Sequence, residues 1–165
     1  MRHAISPMLV SLVAVLGVVA CTSPASRVST VESQVLFVCE HGNVKSLMAA
    51  SYFNRLASQR GLSYHAVSRG TAPDSTTVPP KIIASLKGEG FDVAEFHPVA
   101  VGVGDVSSSR RVILINTVLP QSAQVAGVAL EQWTDVPPAS VDYAAASASL
   151  KMHVEKLIES LERAR

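Results

Sequence analysis

VLFVCEHGNVKSLMAA, residues 35–50, runs from an apolar strand into a helix through a short loop that begins with a cysteine and ends with Lys45 and Ser46. Gln34 to Val38 has the β-branched and aromatic content of a buried parallel strand, and Ser46 to Arg60 is built from helix-forming residues. Cys39 therefore falls at a strand-to-helix turn. A helix N-terminus offers unpaired N–H groups and partial positive charge, which attract phosphate-like anions and lower the pKa of a cysteine placed there. Gly42 and Asn43 are the residue types that most readily take a positive φ, so the loop Glu40, His41, Gly42, Asn43 and Val44 can turn its N–H groups toward one point. That predicts an oxyanion cradle over residues 40–44, with Cys39 as nucleophile, Lys45 as cation and Ser46 as a hydroxyl partner for the thiolate. Glu40 opposes this chemistry, because a carboxylate beside the nucleophile disfavours thiolate and dianion alike unless it points away.

Working outward, apolar runs and helical periods alternate. Gly61 marks the end of the first helix, and Ser63 to Val67 reads as a second strand. Pro79 and Pro80 open a helix through Gly88, Val112 to Ile115 is a third strand, Val128 to Trp133 a short fourth, and Tyr143 to Arg163 a closing amphipathic helix. This alternation predicts a three-layer α/β/α domain around a four-stranded parallel sheet in the flavodoxin-like order 2-1-3-4. Ligands of such sheets bind at the carboxyl ends of the strands, where Cys39, Arg69 and Asn116 are expected together.

The spacing C-EHGNV-K-S, with its VLFVC approach and LMAASYF continuation, resembles the C-x5-R-[ST] loop of the low-molecular-weight protein tyrosine phosphatases and their arsenate reductase relatives. Ser68-Arg69-Gly70-Thr71 resembles that family's S-A-G-T segment, and Gly90-Phe91-Asp92 with Phe96-His97-Pro98 resembles a later passage. The resemblance implies phosphomonoester hydrolysis through a cysteinyl-phosphate, and a catalytic aspartate in an Asp-Pro segment after the fourth strand. Asp135, in Trp133-Thr134-Asp135-Val136-Pro137-Pro138, is carried over as that acid, with Asp142 as its rival. The cation departs from the pattern. Lys45 is a point charge where the family's arginine is a planar fork, so slow turnover is expected.

The first residues read differently. Arg2 and His3 precede an apolar stretch from Met8 to Ala20 that ends Val18-Val19-Ala20-Cys21, too short to favour a spanning helix. Residues 1–21 resemble a bacterial lipoprotein signal with Cys21 as lipid acceptor, and 22–33 a polar tether to a domain over 34–165. Thr22 after the cysteine implies the outer membrane, facing the periplasm. Two acyl chains, at about 0.8 kcal/mol per buried methylene, would anchor it stably.

With two cysteines in the chain and Cys21 given to lipid, Cys39 has no disulfide partner. The thioredoxin-coupled arsenate reductases pass oxidation to two further cysteines of their own chain, which this sequence lacks after Cys39. A net charge of +1 gives no sign of nucleic-acid binding, and His65, His97 and His153 share no metal-ligand spacing, so no metal or cofactor is expected. Three functional classes remain: a phosphomonoesterase, an arsenate reductase using an external thiol, and a non-catalytic oxyanion-binding lipoprotein.

Overall fold

Five consecutive residues of the first strand, Val35 to Cys39, are almost wholly inaccessible to water, so this strand needs cover on both faces. The computed structural model describes residues 33–164, and the lipoprotein-type segment with Cys21 and most of the tether lie outside them. The elements are β1 (Ser33–Cys39), α1 (Lys45–Gln59), β2 (Tyr64–Gly70), α2 (Pro80–Gly88), α3 (Val103–Ser108), β3 (Ser109–Ile115), a 3-10 turn at Gln121–Ala123, β4 (Leu130–Trp133) and α4 (Tyr143–Arg163). All strand pairings are parallel and the order is β2-β1-β3-β4, as the alternation predicts.

Side chains alternate across β1, and the alternation decides what faces the active layer. Val35, Phe37 and Cys39 join α1, α2 and α4 in one core, where Phe37 packs against Phe53 and Trp133 with ring centres 5.8 and 5.5 Å apart. Leu36 and Val38 face the other layer, against Val106 of α3 and against Leu119 and Ala123. Each large apolar side chain buried this way contributes roughly 1.5–3 kcal/mol. Cys39 is thereby placed on the side of α1, below its first turn.

Strand ends differ from the sequence reading in one way that matters. β2 continues to Gly70, because its pairing with β1 runs on through Cys39↔Gly70. Arg69 therefore lies inside the strand, opposite Val38. The outer edge of β2 is closed by side chain and loop. Asn54 of α1 takes the Ala66 N–H at 2.7 Å and donates to its carbonyl at 3.0 Å, while Gly70 N–H reaches Val99 O at 2.9 Å and Val101 N–H reaches Gly70 O at 2.8 Å.

Candidate active site

Cys39 ends β1 with its thiol 2.9 Å from Ser46 Oγ, and the Gly42 N–H points at the sulfur from 3.3 Å. Ser46 is fully buried and meets Ser68 Oγ at 2.8 Å, and Ser68 Oγ lies 2.9 Å from the Gly42 carbonyl. Each hydroxyl has one proton to give, so donation along the chain can run in two directions. With a thiol, donation runs from Cys39 through Ser46 and Ser68 to Gly42 O. With a thiolate, Ser46 donates to sulfur and Ser68 to Ser46, which takes the Ser68 proton away from the Gly42 carbonyl. Nothing in the S-R-G-T match points to this contact of Ser68 with Ser46, which depends on how β2 pairs with β1.

The loop over residues 40–44 is held by backbone contacts. Gly42 has φ +77°, and a Cβ there would lie 2.6 Å from Gly70 N. Thr71 N–H bonds the Cys39 carbonyl at 2.9 Å and Ala72 N–H the Glu40 carbonyl at 2.8 Å, so these carbonyls face away from the loop. Buried Asn43 donates its amide to Thr77 O at 2.9 Å. Val44 occupies the position before α1, and no side chain caps the helix, leaving the N–H groups of its first turn unclaimed by any side-chain cap.

Above the sulfur is a cavity of about 390 Å³. Cys39, Glu40, His41, Val44 and Lys45 form its floor and near side, Pro79, Lys81 and Ile82 of the α2 entry a second wall, and Pro138, Ala139 and Ser140 a third, with Asn116 completing the ring. Lys45 donates to Asn116 Oδ1 at 2.8 Å, and Asn116, at φ 49°, donates its own amide to Thr134 O at 2.8 Å. Burial pushes the Lys45 ammonium below the ordinary lysine value, against the opposing pull of Cys39 and Glu40. The Glu40 carboxylate is 70% exposed and sits 3.7 Å from His41 Nε2, so solvent screens it from the sulfur. His41 Nδ1 lies 3.2 Å from Asp74.

Three expected residues are placed elsewhere. The Arg69 guanidinium turns to the opposite face and pairs with Asp105 at 2.9 Å. Asp135 does not line the cavity. Its carboxylate takes a 2.8 Å bond from His153 Nε2, and that bond holds it below the usual carboxylate range. His153 itself stacks on Trp133, with ring centres 4.7 Å apart. Asp142 caps α4 by accepting from Ala145 N–H at 2.9 Å. The part of this segment that reaches the cavity starts at Pro138, and the residue ahead of it, Pro137, has no proton to give. Among the described residues no group of three or more His, Cys, Asp or Glu could hold a metal ion.

A family model described as Low molecular weight phosphotyrosine protein phosphatase matches residues 34–127. No curated protein matches the chain. Among solved structures, the low molecular weight protein tyrosine phosphatase from T. tengcongensis is 22% identical, with a TM-score of 0.67 over 78% of this chain and 99% of that one. The arsenate reductase from Archaeoglobus fulgidus is 26% identical, with a TM-score of 0.61 over 76% of this chain and 98% of its own. The thioredoxin-dependent arsenate reductase of Corynebacterium glutamicum is 20% identical at a TM-score of 0.67, covering 84% of this chain, which spans only 66% of that protein's length.

Proposed function

Because the chain belongs to the low molecular weight phosphotyrosine protein phosphatase family, we propose that it hydrolyses phosphomonoesters through a cysteinyl-phosphate on Cys39. The observation that carries this reading is the Cys39 sulfur, 2.9 Å from Ser46 Oγ and 3.3 Å from the Gly42 N–H, at the floor of a cavity beside the uncapped start of α1. The thiolate attacks phosphorus as the bond to the leaving oxygen breaks. Backbone N–H groups of Glu40 to Ser46 and the Lys45 ammonium take up the charge on the equatorial oxygens. Water then attacks phosphorus and gives its proton to Asp135 or, with Asp135 held on His153, to solvent; the P–S bond breaks, and phosphate departs while Ser46 stabilises the returning thiolate.

The departing oxygen needs a proton. Asp135 is the proposed acid, which requires its bond to His153 to open and its carboxyl to take up a proton first; with that bond closed, water supplies the proton. Esters with acidic leaving groups then react fastest. The test is para-nitrophenyl phosphate hydrolysis beside phosphate binding by calorimetry. Wild-type protein is expected to do both and Cys39→Ser to lose hydrolysis; a wild type that does neither overturns the reading.

Arsenate is the second reading, favoured by the arsenate reductases among the structural relatives. Cys39 is the free cysteine among the described residues, so an external thiol would attack the sulfur of the Cys39–arsenate adduct, releasing arsenite and leaving a mixed disulfide for a second thiol to reduce. Thiol-dependent arsenite production identifies that case. Phosphate binding without turnover identifies the non-catalytic one. Lipidation at Cys21, with an outer-membrane location facing the periplasm, completes the proposal; Cys21→Ser should abolish lipid labelling and leave the protein unanchored or unprocessed.

A further inference from the structure

We propose that Asn116 is the positioning residue that turns Lys45 into a two-point oxyanion donor, by holding one of its three N–H bonds while the other two face the cavity floor. The inference rests on the reading above only in requiring an oxyanion over Cys39. A lysine is a point charge on a rotatable stem and has no orientation of its own, unlike the planar arginine fork. Here its ammonium is fixed 2.8 Å from Asn116 Oδ1, on the wall of the same cavity that Cys39 lines.

Asn116 is itself oriented from both ends. An ammonium can only donate, so it must meet the amide oxygen; the Thr134 carbonyl can only accept, so it must meet the amide nitrogen, 2.8 Å away. One amide orientation satisfies both. The backbone adds a third demand, because Asn116 turns to φ 49° just past β3 while its N–H still pairs with Trp133 O at 2.9 Å. Few side chains accept that conformation. Glycine accepts it but offers no acceptor. Aspartate accepts it but brings a negative charge and has no amide to give Thr134. Asparagine meets all three conditions with a neutral acceptor that leaves the lysine charge free for the anion.

The test is inorganic phosphate affinity by calorimetry, with para-nitrophenyl phosphate kinetics across pH, for wild type, Asn116→Gly, Asn116→Asp, Lys45→Ala and the Lys45→Ala/Asn116→Gly double variant. Asn116→Gly should lose about 10- to 10²-fold in phosphate affinity and in kcat/KM, the scale of a misplaced binding group. In the Lys45→Ala background it should cost nothing further. The groups facing Lys45 are Cys39, Glu40 and His41 on its own side and Lys81 across the cavity, all unchanged in these variants. An acceptor favours the ammonium, so the alkaline fall in affinity should move to lower pH in Asn116→Gly and to higher pH in Asn116→Asp.

An equal loss in both lysine backgrounds, or an alkaline fall that stays in place, overturns the proposal and leaves Asn116 as a tie between β3 and β4. Should Asn116→Gly fail to fold, the upward move in Asn116→Asp decides by itself, and its absence overturns the proposal. A wild type that binds and turns over, matched by Asn116→Gly, rejects this inference alone; a wild type that does neither rejects the proposed function and this inference with it.

Discussion

Replacing an arginine fork by a lysine leaves the charge at the cavity floor and removes the built-in geometry. Lys45→Ala should weaken phosphate binding strongly and lower kcat by roughly 10²- to 10³-fold, while Lys45→Arg should raise the rate by up to about that factor where the longer planar head fits. Calorimetry and initial rates check both. The pH response has a definite sign. Burial depresses Lys45, so its positive charge is lost as pH rises through a value lower than the ordinary 10.5, and phosphate affinity should begin to fall below that pH. At this scale the sequence was legible where neighbours along the chain are neighbours in space: Cys39 meets Ser46 and the Gly42 N–H and shares a cavity with Lys45. It was not legible for Asp135 or Arg69, nor for the direction of the Asn116 side chain, although Asn116 shares the rim with Cys39 as expected. Their directions depend on His153 of α4, Asp105 of α3 and Thr134 beyond β4, partners 18, 36 and 18 residues away that no local pattern specifies.

Elements were predicted best where period and composition agreed. The closing helix Tyr143–Arg163 is found with the predicted bounds, because a long amphipathic pattern and an Asp142 cap both define it. β2 runs three residues past the end that the sequence pattern predicts, since Ser68-Arg69-Gly70 lacks apolar content and the strand is carried on by its pairing to β1. α3 has six residues, too few to show a helical period. Asn54 gives a test at this scale. It stands in for a missing neighbour strand at Ala66, so Asn54→Ala should expose that edge and cost about 1–3 kcal/mol in urea unfolding. Phosphate affinity should stay unchanged, because Asn54 lies on the far side of β2 from the cavity-lining residues.

The helices of one layer are joined by a polar cluster at the end of α2. Glu89 accepts from Tyr143 at 2.7 Å and Tyr52 at 3.2 Å and pairs with Lys151 at 2.6 Å, tying α1 and α4 to the same carboxylate. Tyr143→Phe should therefore lower global stability by about 1–3 kcal/mol, measured by the urea midpoint. Burial pushes Glu89 up, but the bonds from Lys151 and Tyr143 outweigh it and leave the carboxyl below its ordinary 4.5. A carboxyl depressed in the folded state stabilises above its unfolded pKa, and this contribution is lost as pH falls through the lower folded value. Unfolding midpoints should drop on acidification below about pH 4.5, and less steeply in Glu89→Gln.

The close approach of Gly42 and Gly70 limits how this chain can drift. A methyl group on Gly42 would strike the backbone of Gly70, and one on Gly70 would come within 2.8 Å of the His41 carbonyl. In each case the obstacle is main chain, which substitution at the other position cannot shorten. Neither glycine has a compensating partner, so the usual route by which two contacting residues exchange size over generations is closed here. A saturation library across both positions, selected for folded protein, should return the glycine pair and no rescued double substitution, whatever activity the cavity retains.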